Sequence, residues 1–209
     1  KGGLPPPLPP FSMSDTVMDS WRIFCAVELP QSARRLVLEH IARLKEKVPQ
    51  AKASWARDAN LHLTLKFLGE IPTPSVADFS KAVSRTVSAV QPFSIRFEQT
   101  GVFPTHGQPR VLWIGVNDLS AKLTELHARL EEESAPAGFA KETRPFHPHL
   151  TVARLRQADK ARALANAHQQ MEFDPLEVDV AELLVIRSEL SSEGSKYTVV
   201  SRHALFGVR

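Results

Sequence analysis

Short segments of the chain alternate apolar and polar residues with a period of two, which predicts β-strands. The segment HLTLKFLG, residues 62–69, shows this alternation clearly. In an extended chain its large apolar side chains, Phe67 included, would face a core, and His62 and Thr64 would share the opposite face. We expect Gly69 to end this strand. The same pattern predicts further strands at residues 22–29, 93–103, 111–116, 147–155, 176–190 and 196–206, with the last two forming a terminal pair.

Other segments space their apolar residues three and four positions apart, as amphipathic helices do. The predicted helices span residues 32–48, 75–90, 119–134 and 158–170. Strands interspersed with such helices favour an α/β or α+β fold with mostly antiparallel sheet. Each half of the chain contains strands, amphipathic helices and one His-Leu-Thr segment, which indicates a weak internal duplication. We therefore expect residues 21–209 to form one bilobal domain.

Composition narrows the class of protein. The chain has 209 residues, 43% hydrophobic and 23% charged, as is ordinary for a globular protein. Residues 1–20 are rich in Pro and lack the continuous apolar stretch of a signal peptide, so we expect a disordered leader or an expression remnant there. No apolar run is long enough to span a bilayer, so we expect no membrane partner. The single cysteine, Cys25, excludes an internal disulfide and predicts a cytoplasmic protein.

The triplet His-Leu-Thr occurs twice, at residues 62–64 and 149–151. Random placement of the same residues predicts roughly 0.04 such triplets in the whole chain. Both copies fall in predicted strands, so each pairs an imidazole with a hydroxyl on one strand face. A formal net charge of +3 is compatible with a partner that carries phosphate. Together these features indicate one site built from two strands.

Four segments carry a specific resemblance: RIFCAVELP near the start, HLTLKFLGE, RPFHPHLTVAR, and the SEL…G…Y stretch at 188–197. The chain resembles the two-histidine phosphoesterase superfamily and, within it, the RNA 2′,3′-cyclic phosphodiesterases, also called 2′-5′ RNA ligases. The resemblance covers about residues 22–206. It implies an α+β fold with two pseudo-symmetric lobes, whose mostly antiparallel sheets, flanked by helices, surround a central cleft. Each lobe would contribute one histidine motif.

The resemblance also implies an activity, the hydrolysis of RNA 2′,3′-cyclic phosphodiester ends to 2′-phosphomonoesters without metal or cofactor. Such a reaction needs a base for water, an acid for the leaving oxygen and donors for the phosphate charge. Family analogy assigns His62 as the acid and His149 as the base, although the sequence alone does not order the two. Thr64 and Thr151 would donate hydrogen bonds to the phosphate. The expected partners are RNA 3′ ends or cyclic nucleotides, and the expected state is a monomer.

A further phosphate ligand is implied by the resemblance at Arg154, five residues after His149. A guanidinium matches phosphate oxygens with two parallel hydrogen bonds. Strict alternation, however, places Arg154 on the face opposite to His149 and Thr151. The role therefore requires a bend or strand end after Val152.

Other functions remain open at this point. Ligation of RNA or tRNA halves through a 2′-5′ bond would use the same residues, and a non-catalytic module for RNA ends would use the same cleft. A zinc site made by His62, His147 and His149 is a third alternative, but neither motif has metal-ligand spacing.

The remaining candidate side chains carry weaker expectations. We expect His40, His127 and His168 to be solvated on helices and His147 to lie at the surface or behind the catalytic residues. His106 is expected to be an ordinary loop residue. The base-stacking residue is open. Trp55 and Phe67 could each stack on a base, although we expect Phe67 to pack in the core, and the outward residue of the first strand is either Phe24 or Cys25.

Overall fold

The computed structural model describes residues 19–155, 160–192 and 194–206. Within these residues, four α-helices and nine β-strands form. The helices are α1 (Gln31–Lys47), α2 (Ser75–Val87), α3 (Lys122–Ser134) and α4 (Ala161–Gln170). The strands are β1 (Ser20–Glu28), β2 (Ala53–Trp55), β3 (His62–Pro72), β4 (Phe93–Phe103), β5 (Val111–Asn117), β6 (His149–Leu155), β7 (Leu176–Val180), β8 (Glu182–Ser191) and β9 (Gly194–Ala204).

The strands form two sheets, and every pairing in them is antiparallel. The first sheet has the order β3-β1-β8-β9, and the second has the order β2-β6-β5-β4-β7. Each sheet contains one of the two His-Leu-Thr strands. These two strands, β3 and β6, also pack against each other, with Cα atoms within 8 Å. The structure therefore confirms the predicted α+β fold and brings the two motif strands together.

Helices cover the sheets because each has one apolar face. In α2 the buried residues Val76, Phe79 and Val83 recur at helical spacing. This face packs on β3, β8 and β9, while α4 packs on β4 and α1 packs on α4. One hydrophobic core runs through both sheets, from Ile23 in the first to Leu112 in the second. Each fully buried aliphatic side chain in it stabilises the fold by about 1.5–3 kcal/mol.

Two predicted strands differ from the observed ones. Gly69 does not end β3, which continues to Pro72 and accommodates Gly69 at a φ of 72°, a conformation that favours glycine. The predicted strand 176–190 is in fact two strands, because the chain leaves the second sheet at Val180 and enters the first at Glu182. Because the apolar pattern continues without a break from β7 into β8, the sequence does not reveal this exchange of sheets.

The chain enters the fold one residue before the expected boundary, since β1 begins at Ser20. The carbonyl of Asp19 already accepts the backbone N–H of Thr73 at 2.8 Å. The rest of the predicted leader, residues 1–18, lies outside the described residues, as do positions 158 and 159 of the last predicted helix. Strand β2, which sequence patterning missed, is only three residues long.

Two further expectations concern Cys25 and membrane-spanning segments. Cys25 is a free, fully buried thiol, and burial raises its pKa to about 12. In the part of the chain that the structure describes, no helix is both long and apolar enough to cross a membrane. The expectations of a monomer and of a cytoplasmic location stay predictions.

Candidate active site

His62 opens β3 and lies in an aromatic pocket. The Phe24 ring stacks on its imidazole at a centroid distance of 4.8 Å, and the Tyr197 ring meets it edge-on at 5.1 Å. These rings remove water from the imidazole, and this desolvation lowers the pKa of His62 from 6.5 to about 4. The side chain is therefore neutral near pH 7 in the empty site. Neither aromatic neighbour could be assigned from sequence, because β1 and β9 meet β3 only through the fold.

His149 opens β6 in a comparable pocket. Its imidazole meets the Phe103 ring edge-on at 5.1 Å and the Trp113 ring at 6.5 Å. Its Nδ1 lies 2.8 Å from the carbonyl oxygen of His147. A carbonyl only accepts, so Nδ1 carries the hydrogen and Nε2 of the neutral ring has a free lone pair. Burial lowers the pKa of His149, although the bond to His147 opposes that shift.

A β-bulge interrupts the alternation in β3. Lys66 pairs with Cys25 and Thr64 pairs with Ala26, so Leu65 has no partner on β1. The bulge turns Lys66 into the core, where it is 5% exposed, and turns Phe67 outward, where it is 51% exposed. The prediction that Phe67 faces the core is therefore wrong.

A matching bulge interrupts β6 at the same distance from its histidine. Ala153 pairs with Leu112 and Thr151 pairs with Trp113, so Val152 has no partner on β5. Ala153 turns into the core, and Arg154 becomes exposed on the face that carries Thr151. This is the bend after Val152 that the proposed role of Arg154 required.

The two threonines keep the faces expected from alternation. Thr64 and Thr151 are each half-buried and lie between buried residues, two positions after their histidines. The structure thus places an imidazole and a hydroxyl side by side on each of two strands that pack together. One feature distinguishes the two histidines as acid and base: a hydrogen bond fixes the tautomer of His149.

A cavity of about 540 Å³ adjoins His149, a volume typical of small-molecule sites. Phe103, Trp113 and His147 line it, and His62 lies outside its lining. Trp113 forms this wall because Gly101 faces it across the sheet, and a Cβ at Gly101 would clash with the indole ring. Gly101 is the residue from which the sequence could have indicated this wall. That prediction requires knowing that Gly101 pairs with Trp113.

Two helical histidines predicted to be solvated are fully buried instead. His40 Nε2 and His168 Nδ1 form a hydrogen bond of 3.0 Å where α1 packs on α4. His168 Nε2 lies 2.9 Å from the carbonyl oxygen of Trp113, to which it must donate. His40 therefore donates to His168. Desolvation lowers the pKa of both histidines, that of His40 to about 4.

The structure also shows where the remaining histidines and the base-stacking candidates lie. His127 is not solvated: its ring stacks on Phe146 at 3.9 Å. His147 and His106 are exposed, as expected. The Phe24 and Cys25 side chains are buried, so neither offers an open face to a base. Trp55 is half-buried on β2, with the Lys45 ammonium 5.5 Å above its ring.

The zinc alternative requires at least three metal-binding side chains close together. Among residues 19–155, 160–192 and 194–206, no group of three or more His, Cys, Asp or Glu side chains could hold a metal ion. The three histidines of the zinc alternative, His62, His147 and His149, therefore do not form such a group.

Comparison with known proteins assigns the family. A profile of the "2'-5' RNA ligase superfamily" matches residues 30–191. An Aquifex aeolicus protein named RNA 2′,3′-cyclic phosphodiesterase is 34% identical over 169 residues, which cover 79% of this chain and 89% of that protein. A Methanothermobacter thermautotrophicus protein of the same name is 33% identical over 182 residues, which cover 85% and 95% of the two chains.

Solved structures agree with these sequence relationships. The crystal structure of TT0787 from Thermus thermophilus matches with a TM-score of 0.73 and 28% identity, covering 90% of this chain and all of that one. E. coli LigT, crystallised in complex with 3′-AMP, matches with a TM-score of 0.69 and 26% identity, covering 90% of this chain and 99% of LigT. The resemblance seen in the sequence is thereby confirmed, and the chain belongs to the 2′-5′ RNA ligase superfamily.

Proposed function

We propose that this chain hydrolyses RNA 2′,3′-cyclic phosphodiester ends to 2′-phosphomonoesters, with His62 as general acid and His149 as general base. In this reaction His149 Nε2 takes a proton from water as the water oxygen bonds to phosphorus. The bond from phosphorus to the ribose O3′ breaks, and His62 gives its proton to that oxygen. Proton exchange with solvent then restores both imidazoles.

One observation carries this proposal. Two packed strands each present an imidazole and, two residues later, a hydroxyl, and each strand then bulges at the next position. Two such strands supply an acid, a base and two donors to one phosphate. The names of the relatives, RNA 2′,3′-cyclic phosphodiesterase, point to the same reaction.

The tautomer of His149 fits its proposed role as the base, whereas His62 can act as the acid only if bound substrate raises its low pKa. The hydrogen bond to the His147 carbonyl leaves Nε2 of His149 free to accept a proton, and burial keeps that ring neutral. His62 is also neutral in the empty site, because its pKa is about 4. A bound phosphodiester would bring a negative charge that favours the protonated imidazole. The proposed acid role of His62 depends on this rise in its pKa.

The phosphate would be held by groups that share the histidine faces. Thr64 and Thr151 have hydroxyl donors on those faces, and the bulge at Val152 supports a phosphate-binding role for Arg154. The Arg154 charge also lowers the pKa of His149, so the two side chains act on one another.

The position of the product phosphate tests the proposal. We expect an RNA ending in a 2′,3′-cyclic phosphate to yield a 2′-phosphate that a 3′-specific phosphatase cannot remove. The rate should not change in the presence of EDTA, because the proposed step uses no metal. A product that is wholly 3′-phosphate, or an EDTA-inactivated enzyme restored by zinc, would contradict the mechanism. A joined RNA product would support ligation, and an intact cyclic end would support a binding module.

A further inference from the structure

An exposed aromatic side chain continues the row of rings that begins at the proposed acid. The Phe24 ring lies 4.8 Å from the His62 ring and 6.4 Å from the Phe67 ring, with interplanar angles of 28° and 27°. Phe24 is 2% exposed, whereas Phe67 is 51% exposed. The row therefore leads from the buried imidazole to an open aromatic surface on the same side of the first sheet.

A cation lies against this exposed ring. The guanidinium carbon of Arg22 is 4.6 Å from the centre of the Phe67 ring. Among the described residues, no carboxylate lies within 4.0 Å of the Arg22 guanidinium nitrogens. Glu70 lies opposite Arg22 in the β1–β3 pair but forms no such ion pair with it, so the guanidinium can also bind an anionic partner. An open aromatic ring beside a cation is the combination that binds single-stranded nucleic acid, because every base has a stacking face and every nucleotide a phosphate.

The exposed position of Phe67 has a structural cause. Exposure of Phe67 follows from the bulge at Leu65, which gives it the position in β3 that Arg154 has in β6. The two bulges thus turn one side chain from each sheet toward the side of the imidazoles. In β6 that side chain is Arg154, which can bind a phosphate. In β3 it is Phe67, which can stack on a base.

We infer that Phe67 and Arg22 bind the nucleotide that precedes the cyclic phosphate, with its base stacked on this pair. This inference rests on the proposed function and adds a binding subsite for the nucleotide next to the RNA end, through which an oligoribonucleotide would be preferred to a mononucleoside cyclic phosphate. Phe67 contacts neither the reacting phosphate nor the terminal base in this arrangement. Its contribution is to affinity for the RNA strand.

The test compares adenosine 2′,3′-cyclic phosphate with a triadenylate ending in the same cyclic phosphate. We expect the wild-type kcat/KM to be about 5- to 150-fold higher for the triadenylate, which corresponds to one stacked base at about 1–3 kcal/mol. Phe67→Ala and Phe67→Leu should both reduce this ratio toward one, and Phe67→Tyr should retain it. Taking the ratio cancels any change that a substitution makes at the phosphate itself.

The leucine variant separates stacking from packing, because it keeps an apolar side chain but has no aromatic face. Phe206→Ala is the matched control, since Phe206 is 75% exposed and lies outside the row of rings. A wild-type ratio near one, or a Phe67→Leu ratio equal to the wild-type ratio, would overturn the inference. If neither substrate is hydrolysed, the proposed function fails. Equilibrium binding of 2′-AMP and of the triadenylate 2′-phosphate then gives the same ratio without turnover.

Discussion

At the scale of single residues, the role proposed for the two threonines differs from that of the imidazoles. Thr64 and Thr151 lie on the histidine faces, but their hydroxyl groups do not ionise near neutral pH. In the proposed mechanism they donate hydrogen bonds to a charged phosphate. Such bonds contribute about 1.5–3 kcal/mol each.

We therefore expect Thr64→Val or Thr151→Val to lower kcat/KM by about 10- to 150-fold. Valine keeps the shape and the strand preference of threonine, so the fold should be retained. The pH profile should keep its shape, because no titrating group is lost. Thr198→Val, at an exposed position of β9, is the control. A shifted pH optimum at unchanged substrate affinity would instead indicate a role in proton transfer.

At the scale of elements, the bulges explain which site residues could be predicted from sequence. His62, Thr64, His149 and Thr151 precede the bulges, so simple alternation places them correctly. Beyond each bulge the alternation is inverted, which is why Phe67 was assigned to the wrong face. A bulge is a property of the pairing between two strands, and one strand's sequence does not contain it.

A buried ion pair ties the first motif strand to the segment before the second. Lys66 Nζ donates to Glu131 Oε2 at 2.7 Å and to the Ala140 carbonyl at 2.9 Å. The same carboxylate oxygen accepts the backbone N–H of Glu142 at 2.9 Å. Both charged side chains are less than a tenth exposed. Each charge therefore depends on the other to remain buried.

Replacing one partner should strongly destabilise the protein. We expect Lys66→Met to lower the free energy of unfolding by about 3–5 kcal/mol, because it leaves the Glu131 carboxylate buried without a cation. The double variant Lys66→Met, Glu131→Leu should recover most of that loss. Urea denaturation measures all three proteins. Lys81→Met breaks the exposed pair with Asp78 and should cost about 1 kcal/mol or less. Equal losses in the single and double variants would contradict this interpretation.

At the scale of the whole molecule, sequence patterning predicted the fold class, because the duplicated motif and the strand and helix periods are local. It did not predict which sheet each C-terminal strand joins, since β7 and β8 follow one another without a break in hydrophobicity. It also missed the burial of His40 and His168. Those two residues are enclosed only when α1 packs on α4, a contact between distant parts of the chain.

The His40 and His168 pair should make the fold sensitive to acid. Both have lowered pKa values, so the unfolded chain binds protons below pH 6.5 while the folded chain resists them. The stability that the pair contributes is present above pH 6.5 and is lost as the pH falls toward 4. His62 adds to the same trend. Between its pKa in the unfolded chain and its lower pKa in the folded protein, such a group changes the free energy of unfolding by at most about 1.4 kcal/mol per pH unit.

We expect His40→Gln to flatten the dependence of unfolding free energy on pH between 6.5 and 4, because glutamine does not titrate. Urea denaturation at a series of pH values measures the slope. His106→Gln, at an exposed loop position, is the control. A slope identical to that of the wild type would show that His40 does not resist protonation in the folded protein.

Loss of each imidazole tests the central claim most directly. The measurement is the rate of hydrolysis of an RNA 2′,3′-cyclic phosphate by wild type, His62→Ala, His149→Ala and the double variant across pH. We expect each single variant to lose about 10²–10⁴-fold, and the double variant to lose less than the product of the two. The wild-type rate should follow a bell in pH, because one imidazole must be charged and the other neutral. A wild-type rate in either single variant would contradict two-histidine catalysis.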